Sequence, residues 1–345
     1  MKPLVSILIP AFNAEEFIAD TIRSALAQTW PHKEIIVVDD ESRDQTLSVA
    51  NRFASKNVLV ATQPNQGAAA SRNKAFSLCH GDYIQWLDAD DLLAPDKIAR
   101  QLEELECSGS KRTLLSSSWG RFAYRVDRAD FSPTALWCDL TPADWLVKKL
   151  GQNIYMQTGT WLVSRELTEA AGPWDTRLLG DDDGEYFCRV LLKSEGVRFT
   201  PEAKMFYRIA GNSSLSYIGR SNKKLEAQFL SIKLHIGYLR SLEDSERVRT
   251  ACIQFLQGWL IDFYPERPDI AAEMQQLAAD LGGRLNDPQL PWKYAWIQKL
   301  FGWNAAKRTK LIYNRYKSMG MRSWDRLLCH FENKSSDLDR VTNGE

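Results

Sequence analysis

The stretch Tyr83–Pro95, YIQWLDADDLLAP, runs from a short apolar segment straight into three carboxylates, Asp88, Asp90 and Asp91. Tyr83 to Leu87 has the length and composition of a buried strand. Carboxylates packed this closely repel one another unless positive charge sits among them. The same pattern recurs upstream. Glu34 to Val38 reads as a strand that ends at Asp39 and Asp40, and Val5 to Ile9 as one that ends near Pro10, Ala11 and Asn13. Val58 to Ala61 reads as a third strand, which makes Tyr83 to Leu87 the fourth. Between them, Phe17, Ile18, Ile22, Ala25 and Leu26 recur at helical spacing, as do Leu47, Ala50 and Phe53, and Ala68 to Leu78 reads as a helix. Asn13 with Glu16 has the spacing of a reciprocal helix cap, and Ser42 or Asp44 can cap the next helix. Strands alternating with helices imply a mostly parallel sheet with right-handed crossovers. Ligands of such sheets gather beyond the carboxyl ends of the strands, so the acids at 39–40 and 88–91 are expected in one cleft.

Farther on, Pro95–Leu105 reads as a helix and Thr113–Phe122 as a strand. MQTGTWLVSREL (156–167) reads as a strand entering a helix. RLLGDDDGEYFCRVLLKS (177–194) places Asp181, Asp182, Asp183 and Glu185 at the front of a helix, and Val197–Ile209 is a strand region interrupted at Pro201. From about Asn222 the chain turns helical, with segments at 225–242, 246–263 and 268–281. The polar residues 332–345 are expected to be disordered. No internal repeat is visible.

The 345 residues, 44% hydrophobic, suit one large domain or two modest ones. The 44 basic and 44 acidic residues cancel, so no global field favours nucleic acid. Cys79, Cys107, Cys138, Cys188, Cys252 and Cys329 are scattered without CxxC pairing, which fits neither a zinc site nor a disulfide framework and points to a reducing compartment. The apolar start MKPLVSILIPAFN is too short to span a membrane and has no cleavage signature. A cytoplasmic location is therefore expected.

The acids carry the chemistry. Asp39 and Asp40 can accept from a ribose hydroxyl or a base N–H, or cap a turn. Asp88 and Asp90, alternate residues of an extended segment, can face one cation, and hard oxygen ligands suit Mg²⁺ or Mn²⁺. Three consecutive aspartates at 181–183 exceed what helix capping needs, and one raised toward neutrality can act as general base. In NQGAAASRNKA (65–75), Gly67 permits close backbone approach to a ligand, and Arg72 or Lys74 can offset phosphate charge. The spacing fits neither a dinucleotide fingerprint nor a P-loop.

With these pieces in place, the chain resembles family 2 glycosyltransferases, inverting enzymes of GT-A fold. The resemblance rests on VSILIPAFNAEEFIADTIRSALAQTW, EIIVVDDESRDQT, NQGAAASRNKA, GDYIQWLDADDLLAPDKI and GDDDGEYFCRV, in the family's order over about residues 3–216. It implies an α/β, GT-A type, Rossmann-like sheet flanked by helices. Residues 1–110 would be the nucleotide-binding half and 111–221 the acceptor half, with a mostly helical region at 222–331. It further implies that Pro10, Ala11 and Asn13 line the nucleotide pocket. Asp40 would accept from uracil N3–H, or from the same edge of thymine, with Asp39 supporting the loop. Gly67, Arg72 and Asn73 would lie near base and diphosphate. Asp88 would reach ribose or metal, and Asp90 would bind the metal, Mn²⁺ or Mg²⁺. The family's acidic pair falls on Asp182 and Asp183, either able to serve as base, with Asp183 preferred.

Gly159, Trp161 and Asp181 are assigned to the acceptor side, although Trp161 reads equally as core. Ala210 stands where the family often has histidine, and Arg208 with Ser213 to Ser216 is read as a lid. The processive-synthase signature QxxRW is missing, so one sugar per encounter is expected, from a nucleotide-sugar to a glycan or lipid-linked acceptor. Rival readings are a nucleotidyltransferase that forms a nucleotide-sugar and a non-catalytic binding module. Between Lys293 and Arg326, nine basic residues accompany a single acid, Asp325, and interleave with Trp292, Trp296 and Trp303. This composition suits either a packed helical hairpin or peripheral contact with an anionic membrane, at its inner face. Oligomeric state is left open.

Overall fold

The computed structural model describes residues 2–108, 110–209 and 221–343. In chain order they form β1 (Val5–Ala11), α1 (Ile18–Leu26), β2 (Lys33–Asp39), α2 (Thr46–Asn51), β3 (Val58–Thr62), α3 (Ala68–Leu78), β4 (Tyr83–Trp86), β5 (Leu92–Leu93), α4 (Lys97–Ser108), β6 (Thr113–Phe122), α5 (Pro142–Gln152), β7 (Val163–Ser164), α6 (Arg165–Ala171), α7 (Asp182–Lys193), β8 (Gly196–Arg208), α8 (Asn222–Leu242), α9 (Glu246–Phe263), α10 (Pro268–Asp280) and α11 (Ala295–Asn343).

The main sheet has the order β3-β2-β1-β4-β7. Its first four strands are parallel, and β7 runs antiparallel to β4. Val5, Ile7, Leu8 and Ile9 are fully buried, as a strand covered on both faces requires. The chain steps from β1 outward to β2 and β3, then crosses back to place β4 on the other side of β1. The crevice beyond the carboxyl ends of β1 and β4 is therefore the switch point, and both acidic strand ends open into it.

A second sheet, β5-β8-β6, flanks the first. β6 and β8 run parallel, with Ser117 opposite Thr200 but Ser118 opposite Lys204. The expected interruption at Pro201 is thus a bulge inside one strand. Proline has no N–H to give a ladder, and here its carbonyl accepts from Ser118 Oγ at 2.8 Å.

The expected Asn13 cap is not formed. α1 begins at Ile18 without a side-chain cap. Asn13, at φ 48°, instead joins the loops that follow β1 and β2: its Oδ1 accepts from Arg43 N at 2.8 Å and its N–H donates to Ser42 Oγ at 3.0 Å. Asp44 does serve the start of α2, accepting from Thr46 N at 2.9 Å.

Helices α8 to α10 pack as one layer, α8 against α7, α9 against α5 and α10 against α9. Residues 332–343, expected as a disordered tail, continue α11.

Behind the cleft lies an aromatic cluster. Trp174 stacks on Tyr186 at 4.0 Å between ring centroids, and Trp86 meets both edge-on. Trp161 belongs to this core: it is 1% exposed, stacked on Phe187 at 5.2 Å and tilted against Trp145. That corrects its assignment to an acceptor sugar, since no face of the indole is open. Gly159 is likewise a packing residue, because a Cβ there would lie 2.6 Å from Met205 Cε. Trp161→Ala is expected to lower stability by about 3–5 kcal/mol through the cavity it leaves, read from urea unfolding. A loss within about 0.5 kcal/mol, the range of surface substitutions, would return the residue to the surface.

Candidate active site

The crevice is organised around Arg72. It lies on α3, one turn past Gly67, where φ of 90° lets the backbone turn into the helix. Its guanidinium donates to Asp88 Oδ1 at 2.8 Å and to Asp182 Oδ2 at 2.6 Å, and lies over the Trp174 ring at 4.4 Å. One buried cation therefore joins the acids that follow β4 to those that open α7. The acids after β4 thus meet those that open α7, and Arg72 serves the acids directly. Asn73 fixes the platform beneath: its Oδ1 accepts from Trp174 N at 2.8 Å and its Nδ2 donates to Trp174 O at 3.0 Å. Those bonds occupy the amide expected near the diphosphate.

The turn after β2 redistributes the roles read from sequence. Asp40 organises the loop, accepting from Gln63 Nε2 at 2.7 Å, Gln66 N at 3.0 Å and Gly67 N at 2.8 Å. Asp39 accepts from Ser42 N at 3.1 Å through Oδ2, while its Oδ1 is buried without a partner. Asp40 N donates to the carbonyl of Ala11, which ties the ends of β1 and β2 together beside the half-buried Pro10. A Cβ at Gly67 would meet nothing, so the start of α3 faces open space.

Asp88, Asp90 and Asp91 follow β4. Asp91, to which sequence reading gave no role, is fully buried. Its Oδ1 accepts from Arg208 N at 2.9 Å, its Oδ2 has no partner, and burial followed by the charges of Asp90 and Asp88 pushes its carboxyl well up. Burial and the charge of Asp88 push Asp90 up to about 6. Arg208 donates to the main-chain oxygen of Asp90 at 2.8 Å rather than to its carboxylate. Among the described residues no three acidic, histidine or cysteine side chains converge into a ready cation cage. The loop nonetheless crowds carboxylates together: Asp91 Oδ2 has no partner, and the charge of Asp88 helps to raise Asp90. Asp88 and Asp90 are the two hard carboxylates that could hold a divalent cation, Asp88 with one oxygen already given to Arg72.

The acids of α7 differ in role. Asp181 precedes the helix at φ 56° and accepts from Ser231 Oγ of α8 at 2.5 Å. Its carboxylate lies over Gly184, where a Cβ would sit 2.0 Å from Asp181 Oδ1. This engages the side chain assigned to the acceptor. Beside it, His235 is buried and accordingly held below its usual pKa, hence neutral at pH 7. Glu185 is structural, accepting from Arg189 at 2.7 Å and from Tyr238 OH at 2.6 Å. Asp182 holds Arg72. Asp183 is half-buried, as are Asp181 and Asp182, and Thr158 Oγ1 donates to it at 3.4 Å. Burial, then the charges of Asp182 and Asp181, push it up to about 7, against the opposing pull of Arg72. Ser213 to Ser216, read with Arg208 as a lid, and Ala210, which stands where the family often has histidine, lie outside the described residues.

With the geometry established, comparisons place it. Residues 6–111 match the family model described as glycosyl transferase family 2. Over 105 residues the chain is 42% identical to a putative teichuronic acid biosynthesis glycosyltransferase of Bacillus subtilis, covering 30% of this chain and 42% of that one. Over 104 residues it is 38% identical to an Escherichia coli UDP-Glc:α-D-GlcNAc-diphosphoundecaprenol β-1,3-glucosyltransferase, covering 30% and 41%. The match thus spans about two fifths of the length of these curated relatives. The crystal structure of S. aureus TarS 1–349 with UDP-GlcNAc superposes at a TM-score of 0.64 with 17% identity, covering 81% of each chain. The family match ends before α7, and the likeness in fold extends past it. Residues 6–111 are therefore similar to glycosyl transferase family 2, within a GT-A-type α/β fold completed by helices.

Proposed function

We propose that the chain transfers one sugar from a UDP- or TDP-sugar to a hydroxyl of a glycan or lipid-linked acceptor, by direct displacement with inversion. The observation that carries this reading is Arg72: it joins the donor-side Asp88 to the acceptor-side Asp182, next to a carboxylate, Asp183, that titrates near neutrality. The nucleotide base would meet the Asp39–Asp40 turn, where Asp39 Oδ1 is the acceptor without a protein partner. The diphosphate would lie against the start of α3 at Gly67, where helix amides and the dipole favour anions. Mg²⁺ or Mn²⁺ held by Asp88 and Asp90 would supply positive charge to the leaving diphosphate. The relatives named as glycosyltransferases, and the UDP-GlcNAc complex of TarS, support the class of donor.

Asp183 acts as the base. Its partial opening admits an acceptor hydroxyl, and a pKa near the working pH balances ionised fraction against proton affinity. Asp182 and Arg72 set its position, and Asp181, tied to Ser231, fixes the turn from which it projects.

Asp183→Asn is expected to lower transfer by about 10²–10⁴-fold while donor affinity stays within about twofold, as for an interaction made only in the transition state. Coupled UDP release and calorimetry read the two quantities. The base must be ionised to take a proton, so kcat falls as pH drops through about 7. Asp181, Asp182, Asp88 and Arg72 share that field, and the Asn variant should lose this dependence. Full turnover in the variant, or a wild-type rate flat across this range, would overturn the assignment. Separately, Asp90→Ala should abolish the Mn²⁺-dependent part of UDP binding. Unchanged calorimetric binding with Mn²⁺ would remove Asp90 from the cation site.

A further inference from the structure

α11 is broken at Gly302, where φ is 81° and ψ is 171°. Past the break, one face is fastened to the protein at two points. At the first, Lys307 Nζ donates to the carbonyls of Asp262 and Tyr264 and pairs with Glu266, and Trp303 meets Tyr264 edge-on at 5.1 Å. At the second, Asp325 accepts from Tyr124 N at 2.9 Å, Arg125 N at 3.3 Å and Arg125 Nε at 2.7 Å.

The opposite face carries Ile312, Tyr316, Met319 and Leu327, all exposed, with Tyr313 and Trp324 at its margin. At 3.6 residues per turn these positions fall on one side of the helix, roughly opposite Asp325. Exposed Arg308 borders the stripe on one side and exposed Lys317 on the other, while Arg326 turns to the protein, 3.9 Å from Glu16 and 5.5 Å from the Tyr124 ring centroid. Ahead of the break, Trp292 is 88% exposed, and Trp296, Leu300 and Phe301 are exposed with it. Proteins that stay free in water rarely display apolar surface on this scale without a partner.

We infer that this face of α11 is an in-plane anchor for an anionic lipid bilayer. Three observations select that occupant. An apolar stripe flanked by Lys and Arg with aromatic residues at its edges matches the boundary between headgroups and acyl chains. No helix among the described residues is long and apolar enough to cross a membrane, so the element lies on the surface rather than through it. The only acid between Lys293 and Arg326 is Asp325, which is committed to Arg125. A second copy burying the same stripe would bring basic margins against basic margins, whereas anionic headgroups neutralise them. The inference does not depend on the transferase reading.

The test is flotation of the full chain with phosphatidylglycerol–phosphatidylcholine vesicles, compared with phosphatidylcholine alone. The chain should float with the anionic vesicles at low salt, lose most of that binding at high salt, and bind neutral vesicles far less. Tyr316→Glu, Met319→Glu and Leu327→Glu together should abolish flotation with the unfolding midpoint unchanged. If that triple variant fails to fold, the pair Arg308→Gln and Lys317→Gln decides, with an expected loss of about fivefold in partitioning per residue. No flotation with anionic vesicles would overturn the proposal. So would a dimer by light scattering that buries the stripe and dissolves in the triple variant.

Discussion

A single guanidinium holds the cleft together. Arg72 bridges the end of β4 and the start of α7 through Asp88 and Asp182. Without it, Asp88, Asp182 and Asp183, from two distant segments, would face one another in a mostly buried crevice, where like charges interact strongly. Desolvating an arginine is costly, and a buried ion pair is weak evidence for net stability. Its use here is geometric. Two bonds from one planar group fix the separation of the acid clusters, and Trp174, clamped by Asn73, supports the guanidinium face from below. The same cation limits how far the pKa of Asp183 climbs.

Much of this was legible in the sequence because the first half obeys simple periodicities. Apolar runs of strand length alternating with 3.6-residue spacing predict β1 to β4, α1 and α3 near their observed positions. α9 occupies the predicted Glu246–Phe263. The acidic clusters stood out by charge density alone, and the sheet rule brought those of β2 and β4 together. α7 required more: its family pattern lies beyond the matched residues, and the bond that brings it to β4 runs from Arg72, which the sequence pointed toward phosphate rather than toward the acids.

What escaped sequence reading escaped for physical reasons. Asn13 looks like a cap because Asn caps helices, but the same amide can bridge two loops, and only tertiary proximity to Arg43 decides. Asp39 and Asp40 are chemically identical neighbours, and which one serves the loop depends on where Gln66 and Gly67 place their N–H groups. Trp161 has an apolar body that suits a sugar or a core, and packing with Phe187 and Trp145 settles it. Leu92–Leu93 is too short to show a period, yet it pairs with Met205 and Phe206 and seats the second sheet. Asp91 hides its role because nothing local predicts a bond to Arg208 N, which lies 117 positions away.

The hydroxyl of Ser231 reaches from α8 to Asp181 and so crosses the boundary that composition marks near residue 222. That boundary is one of sequence character, not of mechanical independence. The turn that presents Asp183 is braced from both sides, by α3 through Arg72 and by the helical half through Ser231. Evolution or engineering that exchanges the helical half for another cannot treat it as a detachable cassette, because any replacement must bring its own hydrogen-bond donor to the same carboxylate.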